Sequence, residues 1–173
     1  SPRELLLKVI SSWLDLLFLI FKILKWMFFM VNKIIEVGYG KVSSVKIGKN
    51  LPLAFIGGPC AIESKDHAFF MAEEIKKICN RLNVPWIYKS CYDKDCRSAP
   101  DSYHGLGIED GLQILADVRD EFGVPVVSDF SDSAWAAATG EVCDFVQVPA
   151  YLCRQTSILK AAAKTGRPVH LKK

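Results

Sequence analysis

The chain of 173 residues is 50% apolar and 24% charged, which excludes wholesale disorder and is long enough for one buried core. Its formal charge of +3 is unevenly placed: residues 1–50 carry eight Lys/Arg against three Asp/Glu, and the remainder carries fourteen against sixteen. Residues 51–173 therefore lack a basic face with interleaved aromatics, which excludes a nucleic-acid binder.

The first element is the most apolar. In "LDLLFLIFKILKWMFFMVNKII" (14–35), Lys22 and Lys25 interrupt the run before ~18 consecutive apolar residues are reached, so a membrane-crossing helix is not predicted. No short apolar core with a small-residue cleavage site marks a signal peptide. At 100° per residue, Glu4, Lys8, Ser11, Asp15, Lys22, Lys25, Asn32, Lys33 and Glu36 fall on one side, which predicts one long apolar amphipathic helix over 1–36. Its wide apolar face needs a cover. Protein, a second copy of the chain in a homo-oligomer, or a membrane interface contacted through residues 14–35 would each serve.

"VGYGKVSSVKIGKNLP" (37–52) reads as a glycine-punctuated linker or short hairpin. From residue 53 the pattern alternates. "LAFIG" (53–57) is a strand, and 66–83 a helix with Ser64 or Asp66 as N-cap. "PWIYKS" (85–90) is a strand, and 108–122 a helix. "VPVVSDF" (124–130) is a strand and "SAWAAATGE" a short helix. "DFVQVP" (144–149) is a strand, 154–166 a helix closed by glycine, and "PVHLKK" (168–173) a fifth strand. Strands apolar on both faces, alternating with helices, imply βαβ crossovers and a parallel sheet.

The chemically capable residues recur at the C-terminal ends of these strands: Cys60 and Glu63, Lys89 to Arg97, Asp129, Gln147, then Lys172 and Lys173. Parallel barrels and open doubly wound sheets both place their sites there. The chain has no G-x-G-x-x-G after its first strand and no G-x-x-x-x-G-K-[ST], which weakens a nucleotide-binding sheet. The expected fold is α/β, the first part, about five strands, of a (β/α)8 TIM-type barrel over 53–173, preceded by the helix and linker.

Six cysteines form no C-x-x-C pair and sit within apolar patterns, so free thiols in a reducing, cytoplasmic compartment are expected. Membrane association through the N-terminal helix is the open alternative. Cys60, at the mouth of a strand in "GGPCAIES", reads as a small core residue, half of a disulfide, or a ligand. In "KSCYDKDCRSAPDSYHGLG" (89–107), Lys89, Lys94 and Arg97 place three cations within nine positions, with Ser98 as a hydroxyl donor. Such a loop suits a phosphate-bearing small molecule, while Asp93 and Asp95 could instead pair with it locally. Arg154 and the closing lysines add cations at the same edge.

Together, "GGPCAIES", "YKSCYDKDCRSAPDSYHGLGIEDG", "FGVPVVSDF", "VQVPAYLCRQTSIL" and "AAAKTGRPVHLKK" resemble the metal-dependent class of 3-deoxy-D-manno-octulosonate 8-phosphate synthase, over roughly residues 50–173. The resemblance implies a (β/α)8 barrel condensing phosphoenolpyruvate with D-arabinose 5-phosphate, with release of phosphate. It implies Lys94 and Lys172 as catalytic residues. Lys89, Lys94, Arg154 and Lys172 would hold phosphoenolpyruvate, Arg97 and Ser98 the sugar phosphate, and Gln147 would line the floor. Cys60 becomes one ligand of Zn²⁺, Fe²⁺ or Mn²⁺, the remaining ligands belonging to later strands. One thiol does not hold a catalytic metal.

The chain departs from the family pattern at Asp95, Cys96, His104 and Ser131, and Pro100 enters the loop. A truncated enzyme of weak or no activity is therefore expected of this chain as given. A non-catalytic partial barrel serving as an interaction or membrane-associated protein is the alternative. 3-Deoxy-D-arabino-heptulosonate 7-phosphate synthase is the alternative enzyme.

Overall fold

The computed structural model describes Lys22, residues 33–99 and residues 101–173. The amphipathic helix expected over 1–36 lies outside these residues except at Lys22, which is helical, and at its end, where Ile35 and Glu36 belong to a strand instead. The chain divides into two compact units, Ser1–Ile34 with Gly48–Asn50, and Ile35–Ile47 with Leu51–Lys173. Everything below concerns the second.

That unit opens with an antiparallel hairpin, β1 (Ile35–Val37) against β2 (Val45–Ile47), with Val37 facing Val45. Gly38 makes the turn. Its φ is +110°, and a Cβ there would lie 2.7 Å from the Ser43 carbonyl oxygen, so only glycine fits without strain. The hairpin buries Val37 and Val45 in a cluster with Ile87, Val127 and Phe145.

Five parallel strands follow: β3 (Phe55–Gly57), β4 (Trp86–Lys89), β5 (Val126–Asp129), β6 (Phe145–Val148) and β7 (Val169–Leu171). Their spatial order equals their sequence order. A doubly wound sheet reverses direction at a switch point, whereas a barrel never does, so this sheet has the connectivity of one side of a parallel barrel.

Between the strands run α1 (Lys65–Leu82), α2 (Ile108–Phe122), α3 (Ala136–Val142) and α4 (Thr156–Lys164). Period-2 alternation sorts the strand side chains. Trp86, Tyr88, Val126, Val146 and Val148 join the cluster that contains the buried helix residues, while Ile87, Val127 and Phe145 join the hairpin. No described helix is long and apolar enough to cross a membrane.

Local chemistry sets the helix ends. Ser64 caps α1, its hydroxyl accepting from the His67 N–H at 3.1 Å, and Asn83 closes it in the left-handed region. Gly107 and Gly123 bracket α2. The expected helix over 154–166 starts only at Thr156, because Pro149 leads into a 3-10 turn over Ala150–Leu152. All six cysteines are free thiols.

Candidate functional site

The site forms where β4 and β5 end. In β4 the alternation places Ile87 and Lys89 on the face away from the helices, and the next odd position is Cys91. Lys89 Nζ donates to the Cys91 sulfur at 2.9 Å and to Asp129 Oδ1 at 3.3 Å. The Cys91 thiol in turn donates to Asp129 Oδ1 in a short hydrogen bond. Lys94, from the loop beyond β4, reaches the same sulfur at 3.4 Å and also the thiol of Cys60. Two ammonium groups therefore converge on one thiol and one carboxylate.

Electrostatics fix their protonation. Burial alone would raise the Asp129 carboxyl, but Lys89, the Cys91 hydrogen bond and Lys94 outweigh it and hold its pKa below the ordinary value. Burial and the Asp129 charge push the Cys91 thiol up, so it stays a neutral S–H donor. Burial opposes the charge on Lys89 and Lys94, yet the Asp129 carboxylate and the hydrogen bonds to the Cys91 sulfur more than compensate, and both pKa values are raised. At neutral pH the four groups carry two positive charges against one negative, a surplus that suits an anion.

The glycines of "GGPC" bring the first strand into this site. A Cβ on Gly58 would lie 2.2 Å from the Lys89 carbonyl oxygen, so the chain passes β4 at a distance that only glycine permits. Beyond it, Ser90 Oγ donates to the Pro59 carbonyl at 2.8 Å, and the Cys91 N–H to that of Cys60 at 3.3 Å. Cys60 is thus exposed beside Lys94 at the strand ends, neither core filler nor half of a disulfide.

Gln147 is buried on β6, directly across from Asp129 on one side and His170 on the other. Its Oε1 lies 3.0 Å from His170 Nδ1, and His170 stacks on Phe145. Burial, then the charges of Lys172 and Lys89, lower the His170 pKa. The neutral ring can therefore donate from Nδ1 and orient the amide.

The remaining sequence-predicted residues lie farther out. Arg97 is exposed and spends its Nε on the Tyr103 carbonyl at 3.0 Å, and Ser98 is exposed beside it. Arg154 is exposed after the 3-10 turn. Lys172 is exposed after β7, its backbone N–H still paired with the Val148 carbonyl at 3.1 Å. A small cleft beside the converging lysines is lined by Lys94, Asp95, Asp129, Ser131 and Tyr151. A larger cavity of about 370 Å³, between α3 and α4, lies on the outer face away from these groups.

Sequence reasoning missed three features. Cys91 reads in sequence only as one of six free thiols, although its period-2 offset from Lys89 marks it, and His170 carries no signal beyond its place in a strand. Asp93, Asp95 and His104 come together, with ligand atoms within 4.8 Å of one another, in a group that could hold a metal ion. Tyr103 makes that loop fold back by donating to the Ile62 carbonyl at 2.7 Å. Cys60, by contrast, belongs to no group of three ligand-type side chains among the described residues.

The DAHP synthetase I family matches residues 32–173. The 2-dehydro-3-deoxyphosphooctonate aldolase of Rickettsia felis is 50% identical over 133 residues, covering 77% of this chain and 48% of the relative. The proteins of the same name from Rickettsia rickettsii (strain Sheila Smith) and Rickettsia prowazekii are 50% and 49% identical over the same shares. The chain spans about half the length of the curated relatives it matches.

Proposed function

The chain belongs to the DAHP synthetase I family, and we propose that it supplies the substrate-holding strands of a 3-deoxy-D-manno-octulosonate 8-phosphate synthase. The proposed fold is the first five strands of a (β/α)8 barrel, and the reaction joins phosphoenolpyruvate to D-arabinose 5-phosphate with release of phosphate. The relatives' name, 2-dehydro-3-deoxyphosphooctonate aldolase, denotes the same enzyme. It favours this reading over 3-deoxy-D-arabino-heptulosonate 7-phosphate synthase, which shares the family. The observation that carries the proposal is the convergence of Lys89 and Lys94 on Cys91 and Asp129 at the strand ends.

Phosphoenolpyruvate bears a carboxylate and a phosphate, and its partner a second phosphate, so the reactants repel each other until cations hold them. Lys89 and Lys94 take phosphoenolpyruvate, and Lys94 and Lys172 neutralise charge as phosphate departs. Arg154 assists at the neighbouring strand. Arg97 and Ser98 receive the sugar phosphate once Arg97 exchanges the Tyr103 carbonyl for it. Gln147, oriented by His170, forms the floor.

The resemblance implies a divalent metal, Zn, Fe or Mn, at Cys60. Catalytic metals usually have three protein ligands. The described residues around Cys60 do not provide them, so no step is routed through a metal. We place the protein in the cytoplasm, with homo-oligomer formation and membrane contact through residues 14–35 to be read by sedimentation and liposome partition.

The test mixes the purified chain with phosphoenolpyruvate, arabinose 5-phosphate and divalent metal, and measures phosphate release. Release that disappears in Lys94→Ala supports the proposal. No release above background overturns it for this polypeptide and selects the second reading, a non-catalytic partial barrel. The carboxylates of Asp93 and Asp95 flanking Lys94 favour that second reading.

A further inference from the structure

Cys91 is fully buried, and its sulfur touches Lys89, Lys94 and Asp129 alike. Among the described residues Lys94 makes no hydrogen bond to Asp129 itself, and its hydrogen-bonded link to that carboxylate runs through the sulfur. We propose that Cys91 is a positioning residue whose thiol ties both ammonium groups to the Asp129 carboxylate and so sets the spacing of the anion-holding pair. The use of that pair for phosphoenolpyruvate rests on the function proposed above.

A thiol suits this place because it donates one hydrogen and still offers a large, polarisable acceptor. The donated hydrogen goes to Asp129, which leaves the lone pairs for the two lysines. Alanine would supply neither, and the two ammonium groups, no longer held apart by a shared partner, would repel or rotate into the cleft. Serine would keep both the donor and the acceptor at slightly shorter reach. Besides Cys91 and Asp129, the charged group facing Lys89 is Lys94, and His170 lies close enough to sense the Lys89 charge.

The test compares wild type, Cys91→Ala and Cys91→Ser by competitive acetylation of the full chain, read by mass spectrometry with exposed Lys160 and Lys164 as internal references. Labelling of Lys89 and Lys94 is expected to rise about fivefold in C91A and to stay within about twofold in C91S, the scale of losing one ordinary hydrogen bond. Phosphoenolpyruvate affinity should fall about tenfold in C91A and be rescued in C91S. Equal labelling in wild type and C91A overturns the proposal. Changed labelling in a chain whose wild type does not bind phosphoenolpyruvate overturns the functional reading and leaves the positioning role standing. Should C91A lose its cooperative melt, the infrared S–H band of Cys91 decides. It should move towards the free-thiol position in Asp129→Asn, and an unmoved band overturns the proposal.

Discussion

Arg119 and Asp144 meet at two points, Nε to Oδ2 at 2.9 Å and Nη2 to Oδ1 at 3.0 Å, with the Asp144 side chain wholly buried. The same carboxylate accepts from the backbone N–H groups of Val126 at 3.0 Å and Tyr39 at 3.1 Å. One residue thereby links α2, β5 and the hairpin turn. Tyr39 is held further by its ring, which lies under the guanidinium groups of Arg119 and Arg167 at 4.3 and 3.6 Å. The hairpin keeps its place on the strands through this junction, independently of Lys89, Cys91 and Asp129.

Asp144→Ala would leave Arg119 with only the exposed Asp120 and the Tyr39 carbonyl, and would strip the Val126 and Tyr39 N–H groups of their acceptor, so it should destabilise the chain by about 3 kcal/mol. Urea unfolding followed by tryptophan fluorescence measures it. A loss under about 1 kcal/mol would mean that solvent reaches Arg119 easily, against its buried pairing.

Gly58→Ala tests the close approach of the first strand to β4. The added Cβ would sit 2.2 Å from the backbone oxygen of Lys89, and neither backbone can yield without breaking the Cys60–Cys91 pairing. Overpacking of this kind costs about 1–3 kcal/mol. The thermal midpoint should drop, and the reactivity of Cys60 towards iodoacetamide should change with it. An unaltered midpoint would show that the strand end slides freely.

Much of this architecture was legible in the sequence, for physical reasons. Strands buried on both faces read as continuous apolar runs, as "VPVVSDF" does, and α2 matches its expected range of 108–122 because glycines bracket it. The strand-end rule brings Lys89, Lys94 and Asp129 together from the sequence alone. What stayed hidden depends on contacts distant in sequence. The roles of Cys91 and Asp144 come from partners 38 and 25 positions away. The Asp93–Asp95–His104 group depends on Tyr103 folding its loop back onto Ile62. A thiol just past a strand and an aspartate before one carry no local mark of such roles.

Asp129 gives the stability of the chain an acid dependence of known sign. Its folded pKa lies below the ordinary carboxylate value of about 4, because Lys89 and its hydrogen bonds overcome the effect of burial. Folding therefore binds fewer protons than the unfolded chain does. The stabilisation is complete above the unfolded pKa and is lost as pH falls through the folded one. Urea midpoints measured from about pH 6 down to pH 2 should show a descending limb that is shallower in Asp129→Asn. Parallel limbs for the two proteins would show that Asp129 is not held by Lys89.

Asp95 supplies the last prediction. It stands next to Lys94 on the exposed loop and lines the same small cleft, so its charge opposes any phosphate drawn there by the lysine. At separations of several ångströms near a surface, one such repulsion is worth about 1 kcal/mol. On the function proposed above, Asp95→Asn should therefore tighten phosphoenolpyruvate binding about fivefold at low salt, with the gain shrinking as ionic strength rises. Titration calorimetry at two salt concentrations reads both effects. If D95N instead weakened binding, the carboxylate would be holding Lys94 in place rather than competing with its ligand. The loop would then be built around Asp95 as an internal partner, as Asp129 is for Lys89.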